Sequence, residues 1–219
     1  AEKVVAMKAQ IRMLLKRNSL RAPEETSRYW GANYYTWLQQ LVIPENGVSF
    51  GVRQGLASLL RQQVTLEEEV AVLDRELRIL AASPRYDARC RALRQEPGVG
   101  PLVALVFLTE LGDLTRFRNR RRVGAFLGLV PSCSDSGESV RKGHITHQGP
   151  ARVRKVLCQA VWAMLKTSSP ERAVYERIGK RNPRHKKIAV VALMRRLAIR
   201  LWHIGREVQL ANITTRAVA

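Results

Sequence analysis

The stretch Pro131-Ser-Cys-Ser-Asp-Ser136-Gly137 sets three serines and a glycine in seven residues, and Arg141, Lys142, His144 and His147 follow closely. A hydroxyl nucleophile acting on a phosphodiester needs a tight turn that presents its Oγ. It also needs cations beside the non-bridging oxygens as charge shifts. Ser136, placed before a glycine, is the candidate nucleophile, and Arg141 and Lys142 are candidate phosphate ligands. Ser134 and Ser132 stand behind Ser136 as alternatives. The same composition describes a surface loop with solvated serines, which is the reading composition alone favours, because Ser and Gly dominate loops. His144 and His147 have no Cys or carboxylate at ligand spacing. They read as loop histidines near phosphate, His185 and His203 read as incidental, and no metal site is expected in this chain.

The flanking elements must hold that stretch. Upstream, Arg116, Arg118, Arg120, Arg121 and Arg122 place five arginines in seven positions. Guanidinium forks bind phosphate oxygens bidentately, so phosphate contact ranks above a solvated face. Val123, Phe126, Leu127 and Leu129 then turn inward. Downstream, Gly149-Pro150 starts a helix through Lys166 whose buried stripe is Val153, Val156, Leu157, Ala160, Val161 and Met164/Leu165. Arg152, Arg154 and Lys155 occupy its first two turns, where cations oppose the helix macrodipole. An external anion explains them better than helix stability does.

Further upstream, Pro97-Gly-Val-Gly-Pro101 opens the apolar helix Leu102–Leu111. Gly98 and Gly100 permit the turn, and Pro101 suits the first helical position. The free N–H groups at such a start bind phosphate. This is the sequence form of a helix-hairpin-helix, a backbone-contacting nucleic-acid element. A structural turn between buried helices is an equally good account of these residues.

The remaining chain reads as mainly α. Val4, Val5, Met7, Ile11, Leu14 and Leu15 recur at helical spacing over Ala1–Arg17. Asn18–Ser27 breaks that helix. Tyr29, Trp30, Tyr34, Tyr35 and Trp37 cluster aromatics within one short segment. Tyr34, Trp37, Leu38 and Leu41 fit one helix face, so core packing outranks base stacking. From Phe50 to about Ala82, Leu59, Leu66, Val70, Leu73, Leu77 and Leu80 form a heptad-like stripe with Gln63 as one polar interruption. A coiled coil is expected, with an intramolecular helix pair as the alternative. Short helices over Tyr86–Arg94 and Pro170–Ile178, a basic segment Gly179–Lys187 and a last helix from Lys186 to Val208 complete the pattern. No strand periodicity is clear, although Ser139–Thr146 could form a small hairpin. The expected divisions are a helical linker over 1–49, a coiled coil over 50–83 and a helical domain over 84–219.

The chain has 219 residues, 46% of them hydrophobic, enough for a real core. Its formal net charge is +20 and its pI about 11.1. Residues 1–110 carry 15 basic and 12 acidic side chains, whereas residues 111–219 carry 23 and 6. A polyanion is the implied partner, bound mainly by the second half. Cys90, Cys133 and Cys158 form no CxxC pair, which argues against a disulfide framework or zinc site. No apolar run is long enough to span a bilayer, and no signal-peptide pattern is present. A helix already under way at Ala1 suggests an upstream domain.

The ordered set Pro97-Gly-Val-Gly-Pro-Leu-Val-Ala-Leu, Glu110-Leu-Gly-Asp113, Phe117, Gly128-Leu-Val-Pro131, Ser136-Gly137, Gly143-His-Ile-Thr146, Gly149 and Arg154-Lys-Val-Leu157 resembles the C-terminal domain of DEDD-type, Piv-like insertion-sequence transposases, the bridge-RNA-guided recombinases. Trp30-Gly-Ala-Asn-Tyr-Tyr-Thr-Trp-Leu and the Lys187–Trp202 helix are similar to segments of that family too. The resemblance implies DNA strand exchange through a phosphoserine, with Ser136 as nucleophile and Arg154 as first choice for phosphate binding. Asp135 stands where many relatives carry serine. It further implies a non-coding guide RNA, a homo-oligomer held through the coiled coil, and a bacterial cytoplasmic, nucleoid-associated setting. In the family, four acidic residues of an N-terminal RuvC-like domain bind Mg²⁺. No such quartet is found here, so the isolated chain is expected to lack the metal-assisted half of the chemistry. A non-catalytic nucleic-acid-binding and dimerisation module is the alternative reading. A ribosomal or RNA-packaging protein would fit the charge but not the ordered motifs.

Overall fold

The computed structural model describes residues 2–24, 26, 30–136, 139–167, 170–180 and 185–218, with the side chains of 133–136, 139–142 and 215–218 left aside. The chain divides into two units, Ala1–Glu76 and Leu77–Ala219. Helices dominate both, in agreement with the mainly α reading.

In the first unit, α1 (Glu2–Arg17), α2 (Ala32–Gln40) and the greater part of α3 (Phe50–Ala81) close on one core. Ile11 and Leu15 sit one turn apart on α1, and Tyr34 and Leu38 one turn apart on α2. Their i,i+4 spacing brings each pair onto one face, where they meet Leu56 of α3. Trp30 packs edge-on against Tyr34 at 5.1 Å between ring centroids. The Trp30 ring also receives the Lys8 ammonium at 5.3 Å and the Arg12 guanidinium at 5.6 Å. The aromatic segment thus works as core and cation platform, while Tyr29 lies outside the described residues.

Gln63 is fully buried, although it interrupts the apolar stripe. Its Nε2 donates to the Tyr35 hydroxyl and, at 3.2 Å, to Glu67 Oε1. Tyr35 donates to the same carboxylate at 3.2 Å, and Lys8 Nζ lies 2.8 Å from it. Pairing Glu67 with a cation and two donors offsets the cost of withdrawing it from water. Leu59 joins this core, so the first part of the heptad stripe is taken up within the chain. Leu73 and Leu80 further along remain exposed.

The second unit begins with the last turn of α3. It continues through α4 (Asp87–Leu93), α5 (Pro101–Leu111), a 3-10 turn at Leu114–Arg116, α6 (Arg120–Phe126), β1 (Pro131–Ser136), β2 (Ser139–Ile145), α7 (Ala151–Lys166), α8 (Pro170–Lys180) and α9 (Lys186–Val218). α5 is apolar around most of its circumference. Val103, Ala104, Leu105, Phe107, Leu108 and Leu111 are all buried, so it is the unit's inner helix. Truncating Phe107, which has no exposure, removes about 3–5 kcal/mol.

α9 is the spine, packing against α4, α6, α7, α8 and the 114–116 turn. Trp202, Gly205 and Gln209 line one of its faces. Trp202 Nε1 donates to the Leu114 carbonyl at 2.9 Å. At Gly205 a Cβ would stand 2.6 Å from Leu114 Cδ1, so the bare backbone is what lets the turn seat. Gln209 accepts from the Leu114 amide at 3.2 Å and donates to Asp113 Oδ1 at 2.6 Å. Asp113 also accepts from the Thr115 hydroxyl and amide, contacts that hold its carboxyl below the usual range.

Three boundaries differ from expectation. The serine stretch, expected as a loop, has strand backbone: β1 pairs antiparallel with β2 from Pro131↔Ile145 to Ser136↔Ser139. The hairpin foreseen within Ser139–Thr146 is therefore the second arm of a larger one. Its sequence hides it because neither strand alternates apolar with polar residues. α9 continues to Val218 rather than ending at Val208, since nothing after Gly205 breaks a helix. α8 likewise extends to Lys180. Among the described residues no helix is long and apolar enough to cross a membrane.

Candidate nucleic-acid interface and serine hairpin

The hairpin's base is fixed by two left-handed glycines set back to back. Gly128 has φ +64° and Gly149 has φ +88°. A Cβ on Gly128 would collide with the Gln148 backbone, and one on Gly149 with the Phe126 carbonyl. Only glycine satisfies both the dihedral and the approach. The Leu129 amide then donates to the Gly124 carbonyl at 3.0 Å, and the Thr146 amide to the Val130 carbonyl at 2.9 Å. Arg154, reaching back from the first turn of α7, closes the base. Its Nη1 donates to the carbonyls of Leu127 at 3.2 Å, Gln148 at 3.2 Å and Gly149 at 3.1 Å. The arginine singled out for phosphate thus has one guanidinium nitrogen committed to the chain itself.

Above the base the ladder carries a bulge. Pro131 pairs with Ile145 and Cys133 with Lys142, so Ser132 faces both Gly143 and His144. Ser132 Oγ donates to the His144 carbonyl at 3.0 Å. A Cβ on Gly143 would come within 2.5 Å of that hydroxyl oxygen, so the glycine makes room for it. Ser132 is therefore tied into the ladder, which weakens its standing as an alternative nucleophile. Ser136 is the last residue of β1, opposite Ser139 and five residues from the base. Strand rise sets it about 16 Å along the hairpin. Its side chain, and those of Ser134, Asp135, Arg141 and Lys142, lie outside the described residues, as does Gly137. His144 is exposed in β2, and His147 takes φ +54° just beyond it.

In the arginine cluster, Arg116, Arg118, Arg120, Arg121 and Arg122 are all exposed. Arg116 lies flat against two rings, 4.6 Å from the Phe117 centroid and 4.8 Å from that of Phe126. Asn119 caps α6 by accepting from the amides of Arg121 at 3.0 Å and Arg122 at 3.1 Å. That cap is why Arg120, Arg121 and Arg122 occupy the first turn, where the macrodipole disfavours cations.

The two glycines of the Pro97–Pro101 turn part company. Gly98 has φ +78°, and a Cβ there would run into the Ala160 carbonyl and approach Met164 N to 3.0 Å. It is the contact point between this turn and the backbone of α7. Gly100 has nothing within 4 Å of the place where a Cβ would stand, and it caps α5 from an extended conformation. Of the pair, only Gly100 faces open space at a helix start. At the opposite end of α5, Arg152 of the first turn of α7 sits 3.9 Å from Glu110.

Sequence reading misses the far wall of the arginine cluster. Arg195, Arg196 and Arg200 of α9 face Arg120 and Arg121 of α6 across a groove of about 440 Å³, with Ile199 in its wall. The available signal is the Arg195-Arg196 pair in a helix otherwise filling the core. Glu171 of α8, 7% exposed, anchors this wall through an ion pair with Arg200 and a longer one to Arg196 at 3.9 Å. The Arg200 hydrogen bond holds the Glu171 carboxyl below its usual range, against the opposing cost of burial. Arg200 also meets Glu96 at 3.0 Å. Among the described residues no three His, Cys, Asp or Glu side chains are grouped to hold a metal ion. Cys90 and Cys158 are free thiols, and burial pushes the Cys90 thiol up.

Comparison with known proteins bears on this geometry. A probable family 20 transposase of Pseudomonas aeruginosa is 31% identical over 149 residues, covering 67% of this chain and 43% of that protein. An insertion element IS116 protein of Streptomyces clavuligerus is 26% identical over 172 residues, 78% of this chain and 41% of that protein. The transposase for insertion sequence element IS1111A of Coxiella burnetii is 28% identical over 120 residues, 55% of this chain and 32% of that protein. The chain spans less than half the length of these relatives. Residues 90–176, from α4 to α8 and including the whole serine hairpin, match the transposase domain of the IS116/IS110/IS902 family.

Proposed function

We propose that this chain is the C-terminal portion of a DNA transposase or site-specific recombinase, with Ser136 as nucleophile. What supports the reading is the coincidence of the family match over 90–176 with a hairpin whose base is locked by Gly128, Gly149 and Arg154. A locked base sets where the two strands that carry Ser136 leave α6 and return to α7. In the proposed step, Ser136 Oγ bonds to phosphorus and one bridging P–O bond breaks. The serine proton ends on the leaving hydroxyl. Attack by an incoming strand hydroxyl reverses the exchange and frees the serine. Serine is a weak nucleophile at neutral pH, so it requires activation, and cations around the phosphate stabilise the pentavalent state. Arg141, Lys142 and the Arg116–Arg122 cluster are the proposed cations.

The Mg²⁺-binding carboxylates are proposed to belong to an N-terminal RuvC-like domain outside this chain. A non-coding guide RNA is the proposed second polyanion. Self-association through α3 is proposed from the exposed Leu73 and Leu80, which continue the heptad stripe.

A second reading, a non-catalytic nucleic-acid-binding module, is favoured by one observation. Arg154 and Gly98, two of the expected ligands, have structural duties toward carbonyls and α7. A suicide DNA substrate with a bridging phosphorothiolate separates the readings. It is incubated with the chain alone, and with a supplied N-terminal acidic domain and guide RNA. A denaturation-resistant adduct lost in Ser136→Ala supports the transposase mechanism. Salt-sensitive binding with no adduct under either condition supports the binding module.

A further inference from the structure

The α6–α9 groove differs from a solvated basic face in three respects. It is concave, it is lined by five arginines and one isoleucine, and its two walls come from helices far apart in sequence. Like charges gathered in a concavity repel one another and raise the local potential, which a bound anion relieves.

The walls are also unequally compensated. Arg200 is held between Glu96 and Glu171, and Arg196 lies within reach of Glu171. Arg120, Arg121 and Arg195 have no ion pair with an acidic side chain among the described residues. Arg195 is half-buried and lies along α6 at Gly124, where a Cβ would come within 3.1 Å of its Nε. Gly124 leaves room for the Arg195 side chain along α6. One wall is thereby braced by Glu171, and the other is set by the Asn119 cap that fixes the start of α6.

We propose that this groove grips a phosphodiester backbone. Arg120, Arg121 and Arg195 are its phosphate ligands, and Arg200 is a brace that keeps the α9 wall in place. Bidentate guanidinium contacts suit phosphate oxygens, and Ile199 offers an apolar patch for a sugar face. Such a site holds a strand without reading its sequence. The inference rests on the proposal that the chain works on nucleic acid, but not on Ser136 being a nucleophile.

The test is equilibrium binding of the chain to a labelled 20-base-pair DNA duplex and to an RNA stem of equal length, from 50 to 200 mM salt. The R120A/R121A/R195A variant is compared with K166A/R177A/K180A, which removes three exposed charges from α7 and α8. The expected result is a loss of at least tenfold in affinity for the groove variant, with the logarithmic salt slope reduced by about 2–3, roughly 0.9 for each lost phosphate contact. The control variant should lose little. A loss confined to DNA or to RNA identifies which backbone the groove holds. Equal losses in the two variants would mean diffuse charge attraction and overturn the proposal, as would failure of the parent chain to bind either polymer. Thermal unfolding of both variants guards against misfolding. R195K provides a second handle: it keeps the charge but loses the fork, and should fall between parent and triple variant. An adduct experiment that fails at Ser136 leaves this binding result untouched.

Discussion

Substituting the two glycines of the Pro97–Pro101 turn should give opposite outcomes. Gly98→Ala places a Cβ at φ +78° and drives it into the Ala160 carbonyl and toward Met164 N. The left-handed conformation costs about 1–2 kcal/mol for an alanine. Overpacking against backbone, which cannot rotate aside as a side chain can, costs about 1–3 kcal/mol more. The expected total is about 3 kcal/mol. For a unit of this size that corresponds to a fall in Tm of about 6–12 °C. Gly100→Ala meets open space at φ −88°. It loses a fraction of a kcal/mol of capping and regains about as much from a stiffer unfolded chain, so stability should change by less than about 0.5 kcal/mol. Urea and thermal unfolding followed by circular dichroism measure both. If the turn also holds a phosphate, Gly100→Ala weakens nucleic-acid binding at unchanged stability, whereas Gly98→Ala weakens it only through packing. A Gly98→Ala chain as stable as the parent would refute the argument, because the α5–α7 approach would then not require glycine.

The anchoring contacts carry further predictions. Glu171 has a folded-state pKa below its ordinary value, so its contribution is present above about pH 4.5 and is lost as pH falls through the depressed value. Glu171→Gln should cost about 2 kcal/mol at pH 7 and flatten the fall in stability as pH drops below about 4.5, read by urea midpoints. An unchanged acid limb would show that other carboxylates set it. Arg154→Ala should speed amide exchange at Leu129 and Thr146 by about 10- to 100-fold, through loss of charged hydrogen bonds worth about 1.5–3 kcal/mol. Unchanged exchange with weakened DNA binding would return Arg154 to the phosphate.

The helices are legible in the sequence because their apolar residues repeat at helical spacing: Val153, Val156, Leu157 and Ala160 are enough to mark α7. The serine hairpin is not, because strand pairing leaves a sequence signature only when one face is buried. Its signal lies instead in Gly128 and Gly149, whose positions make sense only once the two ends meet. Gly98 and Gly100 look alike in sequence, yet one touches α7 and the other touches nothing, a difference created by tertiary approach. Gln63 looks like a flaw in an apolar stripe and is a fully buried partner of Tyr35 and Glu67. The α9 wall of the groove is hidden because Arg195 and Arg120 lie 75 positions apart, and charge clustering in sequence sees only neighbours.

The most direct test of the central claim is to locate the covalent attachment. Trypsin releases Val123–Arg141, a peptide carrying Ser132, Ser134, Ser136 and Ser139. Fragmentation mass spectrometry of that peptide, after trapping with the phosphorothiolate substrate and nuclease trimming, distinguishes the four. A nucleotide on Ser136 alone is the expected result. A nucleotide on Ser132, Ser134 or Ser139, or an adduct mapping outside this peptide, would contradict it.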